Sequence, residues 1–228
     1  MLTDGLRQIA HIESPYKSKF GVPRQAGLAD TPARVVFEPD YRSPEAVRGL
    51  EAFGYVWLLW LFHANRHESW SPTVRPPRLG GNKRVGVFAS RSPFRPNPIG
   101  LSAVRLQHVA FEGTLGPVLY VQGADMVDGT PVVDVKPYVP YADCHADAAA
   151  GFAPTPPARL SRVVMPEHLA DRLPETLRKP LEETLLQDPR PSYQHSPERV
   201  YALSFGPCNV RFRVDDNTAV VVDIEVFS

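Results

Sequence analysis

The stretch from residue 75 to residue 100, RPPRLGGNKRVGVFASRSPFRPNPIG, restricts the possible folds of this chain more than any other. It carries prolines at Pro76, Pro77, Pro93, Pro96 and Pro98 and glycines at Gly80, Gly81, Gly86 and Gly100. Proline fixes φ and has no N–H to donate, so neither a helix nor a central strand can run through most of it. One short strand, Arg84 to Ala89, is predicted between two stiff irregular loops. The same stretch holds Arg75, Arg78, Lys83, Arg84, Arg91 and Arg95, with Arg66 flanking it, and contains no acid. A solvated basic face is the ordinary explanation of an Arg-rich run. Here like charges are held close on stiff backbone, which gains nothing for folding. The rigidity, the missing acids and the close spacing of Arg91 and Arg95 favour an anionic partner.

The rest of the chain follows the same habit. Proline makes up 25 of the 228 residues, about twice ordinary usage, which favours loops and short strands over helices. Strands are predicted at Leu6 to Ile12, Arg34 to Glu38, Leu101 to Val109, Val118 to Val121 and around Val132, Val133 and Val135. Ser43-Pro44-Glu45 opens a short helix ending near Gly49. Tyr55 to His63, YVWLLWLFH, is the most apolar run and reads as a strand buried on both faces. Asp128-Gly129 is a turn dipeptide. About eight short strands separated by turn signals predict an all-β barrel. Gly80-Gly81 lacks the G-x-G-x-x-G form and opens no helix, so a Rossmann fold is not expected.

Residues 144 to 157 are small and Pro/Ala-rich and read as a linker or surface loop. Two helices are then predicted, Pro166 to Leu173 and Pro174 to Leu186, the second with Leu177, Leu181 and Leu185 on one face. Strands at Arg199 to Phe205, Asn209 to Val214 and Ala219 to Phe227 complete a three-stranded α+β unit. In the last of them Val220, Val222, Ile224 and Val226 are expected to share a face. The predicted organisation is a mainly β chain. A small N-terminal β-barrel spans 1–142, a linker 143–159, and a small α+β C-terminal domain 160–228.

Net charge is zero, so the chain is not globally basic as many nucleic-acid binders are. The neutral total hides a basic band from Arg66 to Arg105, followed by an acidic region from Glu112 to Asp147. The band suits a phosphate backbone. Two cysteines, Cys144 and Cys208, make neither a disulfide framework nor a metal motif. No signal pattern and no membrane-length apolar run is present, so a soluble cytosolic protein is expected. His63 and His67 stand four apart without a third ligand in sequence, and no metal site is expected. No G-x-S-x-G elbow, P-loop or activated cysteine appears. What remains is a set of rim loops, Pro23-Arg24-Gln25, His63, Arg91 to Asn97 and Asp125 to Pro131. Together they offer cations for a carboxylate or phosphate, acids for an amine or hydroxyls, and aromatics for a flat ring.

The motifs IESPYKSKFGVPRQ, AVRGLEAFGYVWLLWLFH, RPPRLGGN, GVFASRSPFRPNPIGLS, DMVDGTPVVDVKPYVPYAD and QDPRPSY, in this order, resemble the TrmO (TsaA-like) family of S-adenosylmethionine-dependent tRNA methyltransferases. The resemblance runs from Ile9 to about Val214. It implies a small β-barrel, a homodimer, and methylation of N6 of threonylcarbamoyladenosine beside the anticodon of tRNA. It also implies a donor pocket lined by Pro23, Arg24, Gln25, His63, Ala64, Arg91, Ala124 and the turn Asp128, Gly129, Thr130, Pro131. An Arg on the donor's carboxylate is the usual bidentate solution, and Arg91 is preferred to Arg95 for it. Arg95 and Asn97, with Asp188, Arg190 and Tyr193 of QDPRPSY, are the implied substrate side. There Arg190 would meet phosphate and Tyr193 would stack on a base. Asp128 and Tyr138 are the candidates for taking the acceptor's proton. The family often has Gln after the strand-end histidine, where this chain has Ala64. Competing readings are a non-catalytic RNA-binding barrel and a metal hydrolase using Asp125, Asp128 and Asp134. The latter acids have no His or Cys partner in motif spacing.

Overall fold

The computed structural model describes residues 5–64, 70–191 and 196–227. Arg66, His67 and Tyr193 lie outside the described residues. The first eight strands are β1 (Ala10–Glu13), β2 (Pro32–Phe37), β3 (Tyr55–Leu61), β4 (Thr73–Val74), β5 (Val85–Gly86), β6 (Ile99–Glu112), β7 (Gly116–Gln122) and β8 (Pro131–Pro137). Six of them close a barrel in the order β1-β2-β7-β6-β3-β8. The seam joins Ala10 to Val132 and His11 to Pro131. Alternation fills the interior: Val56, Leu58 and Trp60 of β3 point in with Ile12, Val35, Val104, Leu119 and Val132. Full closure leaves none of the six with an unpaired edge.

Several sequence expectations are corrected. The first strand begins at Ala10, not Leu6, because residues 5–8 are exposed and have no ladder partner. The turn after Ser43 is a 3₁₀ segment, Pro44–Val47, and the Ser43 side chain makes no capping bond. The strand β3 is buried on one face only: Tyr55 is 42% exposed and Trp57 is half-covered. Tyr138 stacks near Trp57, and the Trp57 indole N–H donates to Asp143 Oδ2 at 2.9 Å. The strand expected at 84–89 contracts to Val85–Gly86, paired with Thr73–Val74, and continues as a 3₁₀ turn. The strand β6 is longer than expected. It pairs with β3 through its first half and β7 through its second, and a bulge at Gln107 lets it bend between them.

The C-terminal part begins after a short helix α1 (Pro140–Asp143) and an irregular segment. It contains β9 (Arg162–Val164), α2 (Glu167–Ala170), α3 (Glu175–Leu186), β10 (Tyr201–Phe205), β11 (Cys208–Asp215) and β12 (Thr218–Val226). Its sheet has four strands rather than three, in the order β10-β11-β12-β9, because β9 joins β12 in parallel. Three residues are too short a run to stand out in sequence. The core face of β12 is Ala219, Val221 and Ile224, so of the expected series only Ile224 is buried, while Val220 is half-buried and Val222 and Val226 are exposed. Opposite Arg211 and Phe212 the register skips Val222, and the extra residue inverts the alternation.

Three side chains of the segment between β1 and β2, Tyr16, Phe20 and Val22, belong to the C-terminal core. Tyr16 is fully buried, edge-on to Phe205 at 5.5 Å, and Phe20 stacks on Tyr201 and Phe212. The Tyr16 hydroxyl lies 2.6 Å from Thr31 Oγ1 and 3.0 Å from Thr184 Oγ1, and burial pushes its pKa up to about 12. Gly21 adopts φ +93°, and a Cβ there would stand 2.3 Å from a Leu203 methyl. One segment between β1 and β2 therefore ties both halves of the molecule together.

Candidate active site

One end of the barrel opens into a cavity of about 610 Å³, inside the range of small-molecule sites. Its floor is the end of β3 and the start of β6. Trp60 and Phe62 lie with ring centroids 4.4 Å apart. Gly100 faces the Trp60 indole so closely that a Cβ would stand 2.2 Å from the ring. The residue must therefore be glycine for Trp60 to lie flat there. The Trp60 N–H donates to Ser102 Oγ at 2.9 Å, and Ser102 Oγ donates to Asp125 Oδ1 at 2.6 Å. A chain of hydrogen bonds thus runs from the barrel interior to a carboxylate in the cavity wall.

Asp125 is the strongest electrostatic feature of the cavity. Burial raises its pKa to about 6, against the opposing effects of the Ser102 hydroxyl and the Arg91 charge. Arg91, which also lines the cavity, donates to Gln25 Oε1, which sets the direction of the guanidinium. Arg24, Lys19, His63 and Arg95 add to the polar rim, with Met126 and Ile99 on the apolar side. Such a wall suits an amphiphilic ligand with a flat ring, an apolar middle and an anionic end.

Of the residues implied for the donor, Pro23, Arg24, Gln25, His63, Ala64, Arg91 and Thr130 come together around this cavity, and so do Arg95 and Asn97. Ala124 is buried beneath the wall. Gly129, at φ +73°, and Pro131 shape the turn that carries Thr130 but do not line the cavity. The Asp128 side chain is directed to a separate groove, where it accepts from the Ser14 N–H at 2.9 Å and pairs with Lys17 at 2.8 Å. Tyr138 lies on the outer face of the barrel, against Tyr55 and Trp57. Asp188 and Arg190 form a two-pronged ion pair at 2.8 and 2.9 Å. The preceding Gln187 donates to the Leu28 carbonyl at 2.8 Å, so this loop starts next to the cavity segment 23–29. Sequence reasoning named Asp125 only as the first residue of the rim loop Asp125 to Pro131, and it did not assign Trp60, Phe62 or Ser102 to the site. The one signal was Gly100 in register with Trp60, which is legible only once β3 and β6 are known to pair.

Of the basic residues of 75–95, Arg91 and Arg95 line the cavity, while Arg75, Arg78, Lys83 and Arg84 lie on the preceding excursion between β4 and β5. Arg78 donates to Thr155 Oγ1 at 3.0 Å and Arg84 to Thr73 Oγ1 at 2.9 Å. Among the described residues none of the six cations has a carboxylate within 4.0 Å. No group of three His, Cys, Asp or Glu among the described residues stands as a metal site, and no helix there is long and apolar enough to cross a membrane.

A closed, non-Rossmann barrel with an amphiphilic end cavity and a neighbouring acid-free basic stretch defines a class of β-barrel proteins with a cavity of small-molecule size. Comparison with known proteins specifies it further. Residues 11–144 match the tRNA-methyltransferase O N-terminal domain, and residues 162–227 match the TrmO C-terminal domain. The chain belongs to the tRNA-methyltransferase O family. It is 46% identical over 219 residues to the tRNA (adenine(37)-N6)-methyltransferase of Escherichia coli K12, covering 92% of each chain. It is 42% identical over 221 residues to a Pseudomonas aeruginosa protein named putative S-adenosylmethionine-dependent methyltransferase RcsF, covering 92% of this chain and 93% of that one. The crystal structure of TrmO from Pseudomonas aeruginosa superposes with a TM-score of 0.79 at 34% identity, covering 98% of both chains.

Proposed function

We propose that this protein transfers a methyl group from S-adenosylmethionine to N6 of the modified adenosine, threonylcarbamoyladenosine, that lies beside the anticodon of tRNA. The observation that carries this reading is the end cavity, whose lining brings the Arg91 guanidinium, the Asp125 carboxylate and the aromatic rings of Trp60 and Phe62 together. The donor's parts fit that donor set: Arg91, aimed by Gln25, for its carboxylate, Trp60 and Phe62 for its flat and apolar portions, and Asp125 on the polar wall. When bound, the donor supplies an electrophilic methyl on a sulfonium. The chain's own contribution is to hold the acceptor nitrogen in line with that methyl and to exclude water. Asp125 takes the acceptor's proton in this reading: it lines the cavity, whereas Asp128 and Tyr138 lie away from it. The pKa near 6 leaves it mostly ionised at neutral pH and still basic enough to share a proton.

The basic stretch, with Arg95 and Asn97 at the cavity mouth, receives the anticodon arm. The loop held by the Asp188–Arg190 pair presents the substrate side, and Tyr193 offers a stacking surface. Homodimer formation and a cytoplasmic location belong to the same reading.

The test is direct. S-adenosylmethionine at 100 times its dissociation constant should stabilise the protein by about 2.7 kcal/mol, and labelled methyl should appear on tRNA that carries the threonylcarbamoyl group. A stabilised protein that labels no such tRNA points to a different acceptor. Absence of any thermal shift favours the non-catalytic RNA-binding barrel.

A further inference from the structure

The basic excursion between β3 and β6 carries a feature that the cavity does not use. Trp70, just before β4, and Phe88, just after β5, stack with centroids 6.4 Å apart and planes inclined by 23°. Trp70 is 50% exposed and Phe88 73% exposed. Neither ring is held in a core, yet the backbone beneath them is fixed. Thr73 and Val74 pair with Gly86 and Val85, the Val87 N–H donates to the Pro72 carbonyl at 3.0 Å, and the Val87 side chain is buried. Two large aromatic faces are thus presented to solvent from a rigid hairpin. Exposed rings side by side on a structured element mark a binding surface rather than scattered surface apolarity.

The surroundings specify the partner. Arg75, Arg78, Lys83 and Arg84 lie on the same hairpin and the loop joining its strands, and residues 75 to 100 contain no acid. Cations and a flat apolar face on one short excursion match a ligand whose backbone is anionic and whose other parts are flat rings. Single-stranded RNA is that ligand, and unpaired bases in loops are recognised by stacking on aromatic side chains. Phe88 precedes Arg91 of the cavity by three residues, so the two features stand at most about 11 Å apart along the backbone.

Resting on the proposed tRNA substrate, we infer that the Trp70–Phe88 pair is a stacking platform for an unpaired base of the anticodon loop neighbouring the nucleotide that enters the cavity. The platform holds the strand in register and so takes part in choosing which adenosine is methylated. It makes no contact with the donor.

The experiment uses full-length protein and a fluorescein-labelled tRNA carrying threonylcarbamoyladenosine, read by anisotropy and single-turnover methylation. Phe88→Ala and Trp70→Leu are expected to weaken tRNA binding by roughly 5- to 100-fold. Phe88→Tyr and Trp70→Phe keep the affinity within about twofold, because a ring face is retained. The salt slope of binding stays as in the wild type, since stacking releases no counterions. Donor affinity by calorimetry is unchanged. Wild-type tRNA affinity in both Phe88→Ala and Trp70→Leu overturns the platform and leaves the methyltransferase reading intact. Loss of self-association in these variants by sedimentation, with tRNA affinity retained, also overturns it and assigns the rings to a second copy of the chain. Wild-type protein that neither binds nor methylates this tRNA overturns the functional reading and the platform with it.

Discussion

At the scale of single residues the cavity is governed by one carboxyl and one guanidinium. Asp125 has a pKa raised from 3.8 to about 6, chiefly by burial. The folded protein therefore holds this proton more tightly than the unfolded chain does. Its contribution to stability falls as pH rises from 3.8 to 6 and is constant above. Asp125→Asn should raise stability at pH 8 by at most about 3 kcal/mol, less where cavity water solvates the charge, with the gain vanishing towards pH 4. Urea denaturation at the two pH values checks this, and a difference independent of pH would sink it. On the proposed reaction the wild-type methylation rate should rise through about pH 6, and the same variant should lack that rise. Arg91→Ala should weaken donor binding by about 1.5 to 3 kcal/mol with the fold unchanged, as read by calorimetry. Arg91 was legible in the sequence because its stiff, acid-free setting announced it. The role of Asp125 was not. It depends on Ser102 and Trp60, which come from two other strands, and no spacing within one segment encodes that meeting.

At the scale of elements the β4–β5 hairpin matters most. It holds its charges on backbone fixed by proline and by two ladder pairs, so the cations need no reordering when an anion arrives. Binding of tRNA should weaken linearly in log–log with salt, and Arg78→Ala, Lys83→Ala and Arg84→Ala should each reduce the slope by about 1. An unchanged slope in all three variants, measured by anisotropy between 50 and 200 mM salt, would assign the hairpin to another partner. Elements were readable where a short β-branched or aromatic run is bounded by turn residues, as in β2, β3 and β7, and where a helix repeats leucines, as in α3. They were misread where length or phase depends on a partner strand. The bulge at Val222 inverted β12, and β9 is visible only as the neighbour of β12. The barrel itself followed from the count of short strands, but which six close could not be read from any of them alone.

At the scale of the whole molecule, the family models divide the chain at residues 144 and 162, while the packing crosses that division. Tyr16, Phe20 and Val22 lie in the C-terminal core, and Gln187 and Glu183 of the C-terminal part bond to Leu28 and Asp30. A chain ending at residue 160 should keep its barrel strands but leave these aromatic side chains without a core. Donor affinity should fall because Pro23, Arg24 and Gln25 follow directly on the loosened segment. Limited trypsin digestion should cut at Lys17, Lys19 or Arg24 in that fragment and spare them in the full chain. Equal protection in both would show that the barrel orders the segment unaided.

The shared segment also sets an order of events during synthesis. Thr184, which meets the Tyr16 hydroxyl, follows it by 168 residues. At about 5 to 20 residues per second, roughly 10 to 30 s separate their appearance from the ribosome. Once β8 has emerged, late in that interval, the barrel strands can pair, but the Pro23–Gln25 wall of the cavity still has nothing to rest on. On the proposed function, a nascent chain is unable to hold the methyl donor firmly until the C-terminal core that receives Tyr16, Phe20 and Val22 has been made.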